Sequence, residues 1–243
     1  MLQIIVAKGR YLVKKIVEQT MQKYAINEIF QSIQGEGEFS GMPAIFIRLQ
    51  GCEVGCAWCD TKHSWSLEPE LELDFLQFKA KNSEAATWAW LEQNQLLQLL
   101  TERGYSAKLI VVTGGEPAAV DLLQLSTALL DAGYQLQLET SGTYPIAIDA
   151  RAWVTVSPKV NMRSKKAIVN SALERANEIK HPVGRLSDIE NLQQLLSTID
   201  VAAKKISLQP ISCKQSATEL AIKYCIKYNW RLSVQLHKYL GVE

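Results

Sequence analysis

From residue 94 onward, short connections alternate apolar, strand-like runs with helical stretches, and that alternation leaves few architectures open. Helices are predicted over 94–103, 121–131, 170–176, 187–199 and 217–228, and strands over 44–49, 109–112, 135–138, 153–156, 178–181, 205–208 and 231–234. Strands joined through helices must lie parallel with right-handed crossovers, so the expected fold is α/β with a barrel-like sheet and ligands beyond the carboxyl ends of its strands. Those ends carry Gly51-Cys52, Thr113-Gly114-Gly115-Glu116, Glu139-Thr140-Ser141-Gly142, Ser157-Pro158-Lys159, Gln209-Pro210 and His237-Lys238. Glycine and small polar residues thus recur at one rim.

Three of the five cysteines, Cys52, Cys56 and Cys59, follow the strand at 44–49 in a C-x3-C-x2-C spacing. Soft thiolates select zinc, copper(I) or an iron–sulfur cluster, and three ligands suit a cubane with one open iron better than a closed structural zinc tetrahedron. The alternatives are a zinc site completed by a residue such as His63, or a redox pair. Cys213 and Cys225 stand apart and read as apolar fillers or free thiols. Cysteines gathered on one loop point to a reducing cytoplasm rather than a secreted disulfide framework.

The chain has 243 residues, 47% hydrophobic and 21% charged, with a formal net charge of +1. It is long enough for one sizeable core, and no global field favours nucleic acid or an anionic membrane as partner. Small-molecule chemistry is the default. Residues 1–20 carry Lys8, Arg10, Lys14 and Lys15 against one acid, Glu18, without the order of a secretory signal. They read as an extension from an upstream start before Met21, or else as an added surface helix. The rest, 21–243, is expected to be a single domain in which the acidic and aromatic stretch 66–90 is an insertion outside the central core. Its Trp88 and Trp90 cover a core edge or meet a partner.

The three cysteines, Gly114-Gly115-Glu116 and the polar rim together resemble the radical S-adenosylmethionine superfamily. The motifs Gln34-Gly35-Glu36-Gly37, Arg48, Cys59-Asp60-Thr61-Lys62-His63, Thr113 to Pro117, Glu139 to Thr143, Ser157-Pro158-Lys159 and Gln235 to Leu240 narrow this to the 7-carboxy-7-deazaguanine synthase family. The resemblance runs from about Met21 to the last residue and is weak through 66–90. It implies a partial, modified (β/α) TIM-like barrel of the radical SAM type. It also implies conversion of 6-carboxy-5,6,7,8-tetrahydropterin to 7-carboxy-7-deazaguanine with loss of ammonia, in queuosine biosynthesis.

By the same resemblance, Cys52, Cys56 and Cys59 would hold a [4Fe-4S] cluster whose fourth iron is chelated by S-adenosylmethionine. Gly114, Gly115 and Glu116 would approach the cofactor's amino group, and Trp58, Cys59 and Asp60 would meet it chiefly through backbone. Ser141, Ser157, Pro158, Lys159, Gln209, Pro210, Ile211 and Ser212 would line its ribose and carboxylate. Thr61 would be the magnesium ligand. Glu36 suits the amino-pyrimidine edge of a pterin and Arg48 its carboxylate, with Ile33, Gln34, Gly35, Thr113 and His237 around the ring and the terminal residue Glu243 beside it. An electron donor such as flavodoxin and a homodimer are implied too. The rival readings are a glycyl-radical activating enzyme, whose substrate is a protein backbone, and a metal-binding regulatory adaptor that engages a partner through 66–90.

Overall fold

The structure is a computed structural model that describes residues 2–7, 10–15, 22–81 and 84–241. Strands β1 (Leu2–Ala7) and β2 (Arg10–Lys15) pair antiparallel as a hairpin of their own. The described residues of the amino-terminal segment are therefore strands, where an added helix was the alternative.

The main sheet comprises β3 (Lys23–Ile33), β4 (Pro43–Leu49), β5 (Ala89–Glu92), β6 (Leu109–Thr113), β7 (Gln135–Thr140), β8 (Trp153–Val156), β9 (Glu178–Val183), β10 (Lys205–Pro210) and β11 (Arg231–Leu232). Its order is β11-β10-β9-β8-β7-β6-β4-β3-β5. All neighbours from β4 to β11 pair parallel, while β3 runs antiparallel to both β4 and β5. The fold is thus mixed α/β on a nine-stranded sheet.

Helices α2 (Gln93–Glu102), α3 (Leu123–Asp131), α4 (Asn170–Arg175), α5 (Leu186–Leu196) and α6 (Gln215–Tyr228) lie between successive strands, within a few residues of the predicted spans. Helix α2 buries Leu96, Leu99 and Leu100, one face of a 3.6-residue period, each contributing about 2 kcal/mol of apolar burial. Helix α6 buries only small side chains, Ala217, Ala221 and Cys225, on its inner face. The Cys225 thiol donates to the Arg231 carbonyl at 3.1 Å, which fits its reading as a filler. The side chain of Cys213 lies outside the described residues.

Parallel register gives the sheet two chemically different faces. Ile45, Ile47, Ile110, Val112, Leu136, Leu138, Val154, Ile179 and Leu208 point into the main core with the helices. The alternate positions Arg48, Thr113, Gln137, Glu139, Thr155, Glu178, Lys180, Ser207 and Gln209 share the other face, because each strand is paired without a slip from one face to the other. A small apolar group, Ala44, Leu109 and Val111 with Phe39 and Phe46, occupies the amino-terminal end of that face.

The stretch 66–90 does not lie wholly outside the core. It contains α1 (Phe75–Ala80), whose Phe78 is fully buried in the main cluster, and its last residues, Ala89 and Trp90, begin the edge strand β5. Lys81 fixes the segment by donating to the Asn27, Ala85 and Thr87 carbonyls at 2.7, 3.2 and 2.8 Å. Trp88 is buried and meets Trp90 edge-on. A final helix, α7 (Leu236–Leu240), follows β11.

Candidate active site

The loop after β4 is held by backbone hydrogen bonds from Gly51 to Ser64 at 2.8 Å and from Cys52 to Trp65 at 2.9 Å. Its neighbour after β6 is stapled onto it, Glu116 N–H donating to the Gly51 carbonyl at 2.9 Å and Gly115 N–H to the Ser64 hydroxyl at 3.1 Å. Cys52, Cys56 and Cys59 are free thiols that face one cavity of about 540 Å³. Burial pushes the Cys52 and Cys56 thiols up, so thiolates here call for a cation. The Trp65 indole N–H donates to Cys59 Sγ at 3.3 Å, as it would to a metal-bound thiolate.

Among the described residues no three His, Cys, Asp or Glu side chains converge on a point as ligands of one ion do. His63 instead meets Glu84, Nδ1 to Oε1 at 3.2 Å.

At the rim, Glu116 is a buried clamp. Its carboxylate accepts the Thr140 hydroxyl, the Ala118 N–H at 3.0 Å and the Ser141 N–H at 2.9 Å, which joins the tips of β6 and β7. Lys159 donates to the Ser157 hydroxyl at 2.8 Å. Of the residues expected around the cofactor, Trp58, Asp60, Gly114, Gly115, Glu116, Ser141, Ser157, Lys159, Gln209, Pro210, Ile211 and Ser212 all line the cavity. Pro158 is buried and is not among the lining residues.

The turn between β3 and β4 enters the polar face from the opposite end. Gln34 reaches Gln137 on β7 at 2.8 Å, Gly37 N–H donates to the Ser233 hydroxyl at 2.9 Å, and Glu38 N–H to Glu178 at 3.1 Å. Because these partners span β7 to the residues beyond β11, the sheet curves around the turn. At its tip Glu36 takes the Lys180 ammonium at 2.6 Å on one oxygen and the Gln209 and Gln235 amides at 3.2 and 3.0 Å on the other. Lys180 also bonds both oxygens of Glu139, at 3.0 and 2.9 Å. Burial works against the Glu36 carboxylate, yet Lys180 and Gln235 hold its pKa down to about 2. Burial pushes Glu139 up to about 7 in spite of Lys180, with the Glu36 charge adding to the rise.

Arg48 lies on the same cavity wall with Phe30 beneath its guanidinium. Its Nε donates to Glu28 at 2.5 Å, which fixes the group by one edge. Ile33, Gln34, Gly35, Thr61, Thr113 and His237 line the cavity as well, and Leu236 N–H donates to the Gly35 carbonyl at 2.9 Å. Glu243 falls outside the described residues.

No family model matches the chain. It is 52% identical over 221 residues to the 7-carboxy-7-deazaguanine synthase of Escherichia coli (strain K12), which covers 90% of this chain and 99% of that protein. The chain belongs to the 7-carboxy-7-deazaguanine synthase family. The synthase of Buchnera aphidicola subsp. Schizaphis graminum is 44% identical over 220 residues, with 90% and 99% covered. A crystal structure of QueE from Escherichia coli superposes with a TM-score of 0.85 at 52% identity, over 88% of this chain and 95% of that one.

Within this 7-carboxy-7-deazaguanine synthase fold, the lining residues without a role from sequence include Glu28, Glu139, Lys180 and Gln235. For Glu139 and Lys180 the signal is the polar alternation on strands that otherwise read as apolar, Gln137 and Glu139 on β7 and Glu178 and Lys180 on β9.

Proposed function

We propose that the chain is a radical S-adenosylmethionine lyase that converts 6-carboxy-5,6,7,8-tetrahydropterin to 7-carboxy-7-deazaguanine and ammonia, within queuosine biosynthesis. The observation that carries this reading is one cavity lined by three free thiols together with Arg48 and Glu36, on a chain of this family. When bound, a [4Fe-4S] cluster on Cys52, Cys56 and Cys59 and S-adenosylmethionine supply one-electron cleavage of a sulfonium carbon–sulfur bond.

The chain's own residues do the rest. Arg48, pinned by Glu28 at 2.5 Å, turns the remaining edge of its guanidinium to the substrate carboxylate. Glu36 and the backbone of Gln34 and Gly35 hold the ring, and Thr113 and His237 bound it. The partial barrel of the radical SAM type encloses the site, and its inserted turn keeps water from the reacting atoms. The rim residues from Gly114 to Glu116, Ser157, Lys159 and Gln209 hold the cofactor.

The Thr61 hydroxyl, a hard oxygen donor on the cavity wall, would hold magnesium whose other ligands are water and the substrate carboxylate. No helix among the described residues is long and apolar enough to cross a membrane. A cytoplasmic homodimer reduced by an electron donor such as flavodoxin completes the proposal.

The test is anaerobic incubation of the reconstituted, reduced protein with S-adenosylmethionine and 6-carboxytetrahydropterin. Formation of 7-carboxy-7-deazaguanine is expected. Its absence, with an intact cluster spectrum that responds to the cofactor, would overturn the reading.

A further inference from the structure

Buried Lys180 sits between two partly buried carboxylates supplied by separate elements, Glu36 at 2.6 Å from the β3–β4 turn and Glu139 at 2.9 Å from β7. One ammonium facing two carboxylates leaves an excess negative charge on a largely desolvated cavity wall, and such a site takes up a proton. The hydrogen bonds decide where it resides. Glu36 has both oxygens engaged by donors, Lys180 on one and the Gln209 and Gln235 amides on the other. Among the described residues Glu139 has only Lys180 and the Gln137 amide, at 3.1 Å.

We infer that Lys180 is a positioning residue that divides this pair into an ionised acceptor, Glu36, and a protonated donor, Glu139, so that together they read the donor and acceptor edge of a 2-amino-4-oxo-pyrimidine ring. The inference rests on the pterin reading above and deepens it. Glu36 accepts one ring N–H at Oε2, the oxygen that only Lys180 engages, and the Glu139 carboxyl donates to a ring acceptor. The opposite shifts of the two groups, Glu36 down to about 2 and Glu139 up to about 7, agree with the division.

The other groups that face the pair are few. Strand β9 adds Glu178, which is satisfied by the Ser207 hydroxyl at 2.7 Å, the Thr155 hydroxyl at 3.1 Å and the Glu38 N–H at 3.1 Å. Helix α7 adds His237, whose charge acts on Glu36, and Lys238, which reaches Gln235 at 3.0 Å and Asp60 at 3.0 Å. Strands β7 and β10 add only the amides of Gln137 and Gln209.

The experiment titrates holoenzyme with 6-carboxypterin, a fluorescent and redox-stable ring, across neutral pH in wild type, Glu139→Gln and Lys180→Arg. Wild-type affinity is expected to fall about tenfold per pH unit once Glu139 gives up its proton. Glu139→Gln, a permanently neutral donor, binds within about threefold of wild type at acidic pH and loses that step. Lys180→Arg keeps the charge and displaces both carboxylates, so it binds about tenfold more weakly at every pH while its thermal midpoint stays within a few degrees. The ligand's own ionisation is common to all three proteins and cancels in the comparison. A Glu139→Gln protein that keeps the wild-type pH step, a Lys180→Arg protein that binds like wild type, or a wild type that does not bind the ring would each overturn the inference. Wild type that binds with the expected step yet forms no deazaguanine would overturn the reaction and leave the ring reading standing.

Discussion

Gly114 lies flat against Arg48: a Cβ on the glycine would fall 1.8 Å from Arg48 Cγ, and its φ is +69°. The rim that is to hold the cofactor and the side chain that is to hold the substrate are therefore in van der Waals contact. Gly114→Ala must displace the guanidinium and accept a left-handed backbone, at about 1 to 3 kcal/mol of strain. The expected outcome is a KM for 6-carboxytetrahydropterin raised about tenfold or more, with a lowered melting temperature. An unchanged KM would mean that Arg48 does not anchor the substrate.

Cys56→Ala should abolish cluster assembly, whereas Cys225→Ala should leave it intact, because Cys225 faces the inner side of α6 and not the cavity. Iron analysis and electron paramagnetic resonance of the reconstituted variants decide this. Equal iron in the two proteins contradicts the ligand assignment.

His181 is almost fully buried on the helix side of β9, and its Nδ1 has no hydrogen-bond partner among the described residues. Burial pulls its pKa from 6.5 down to about 4, against the Asp188 charge that favours the cation and with the Lys159 charge that disfavours it. Because the folded protein binds this proton less readily than the unfolded chain, its contribution is intact above pH 6.5 and is lost as the pH falls toward 4, at about 1.4 kcal/mol per unit and about 3 kcal/mol in total. Urea unfolding at successive pH values should show this decline in wild type and a shallower one in His181→Leu. Parallel curves for the two proteins would assign the acid sensitivity to other groups.

Lys81→Met should loosen the stretch 66–90 without touching the cavity. It removes the donor shared by the Asn27, Ala85 and Thr87 carbonyls and costs about 2 kcal/mol or more. Limited proteolysis is the readout, with earlier cleavage between α1 and β5 expected. Cleavage at the wild-type rate would show that Phe78 alone holds the segment.

The strand and helix alternation from β6 to β11 was legible because each element carries a local signal: helix spacing in Leu96, Leu99 and Leu100, and apolar runs such as Leu109–Thr113. The cysteine loop and Gly114-Gly115 were legible for a related reason, since thiolate spacing and the need for positive φ are written in residue types. Strand β3 was not. Its pairing with β4 shifts register between Ile26 and Glu28, and its residues 24–29 are buried on both sides, so no two-residue period survives in the sequence. Lys180 was missed because its role exists only through partners 41 and 144 positions away. Phe78 was hidden by the polar residues around it, and only the fold places its ring in the core.

The turn that carries Glu36 into the polar face also closes that face at its amino-terminal end. With Phe39 and Phe46 packed behind it among Ala44, Leu109 and Val111, the cavity is blocked on that side.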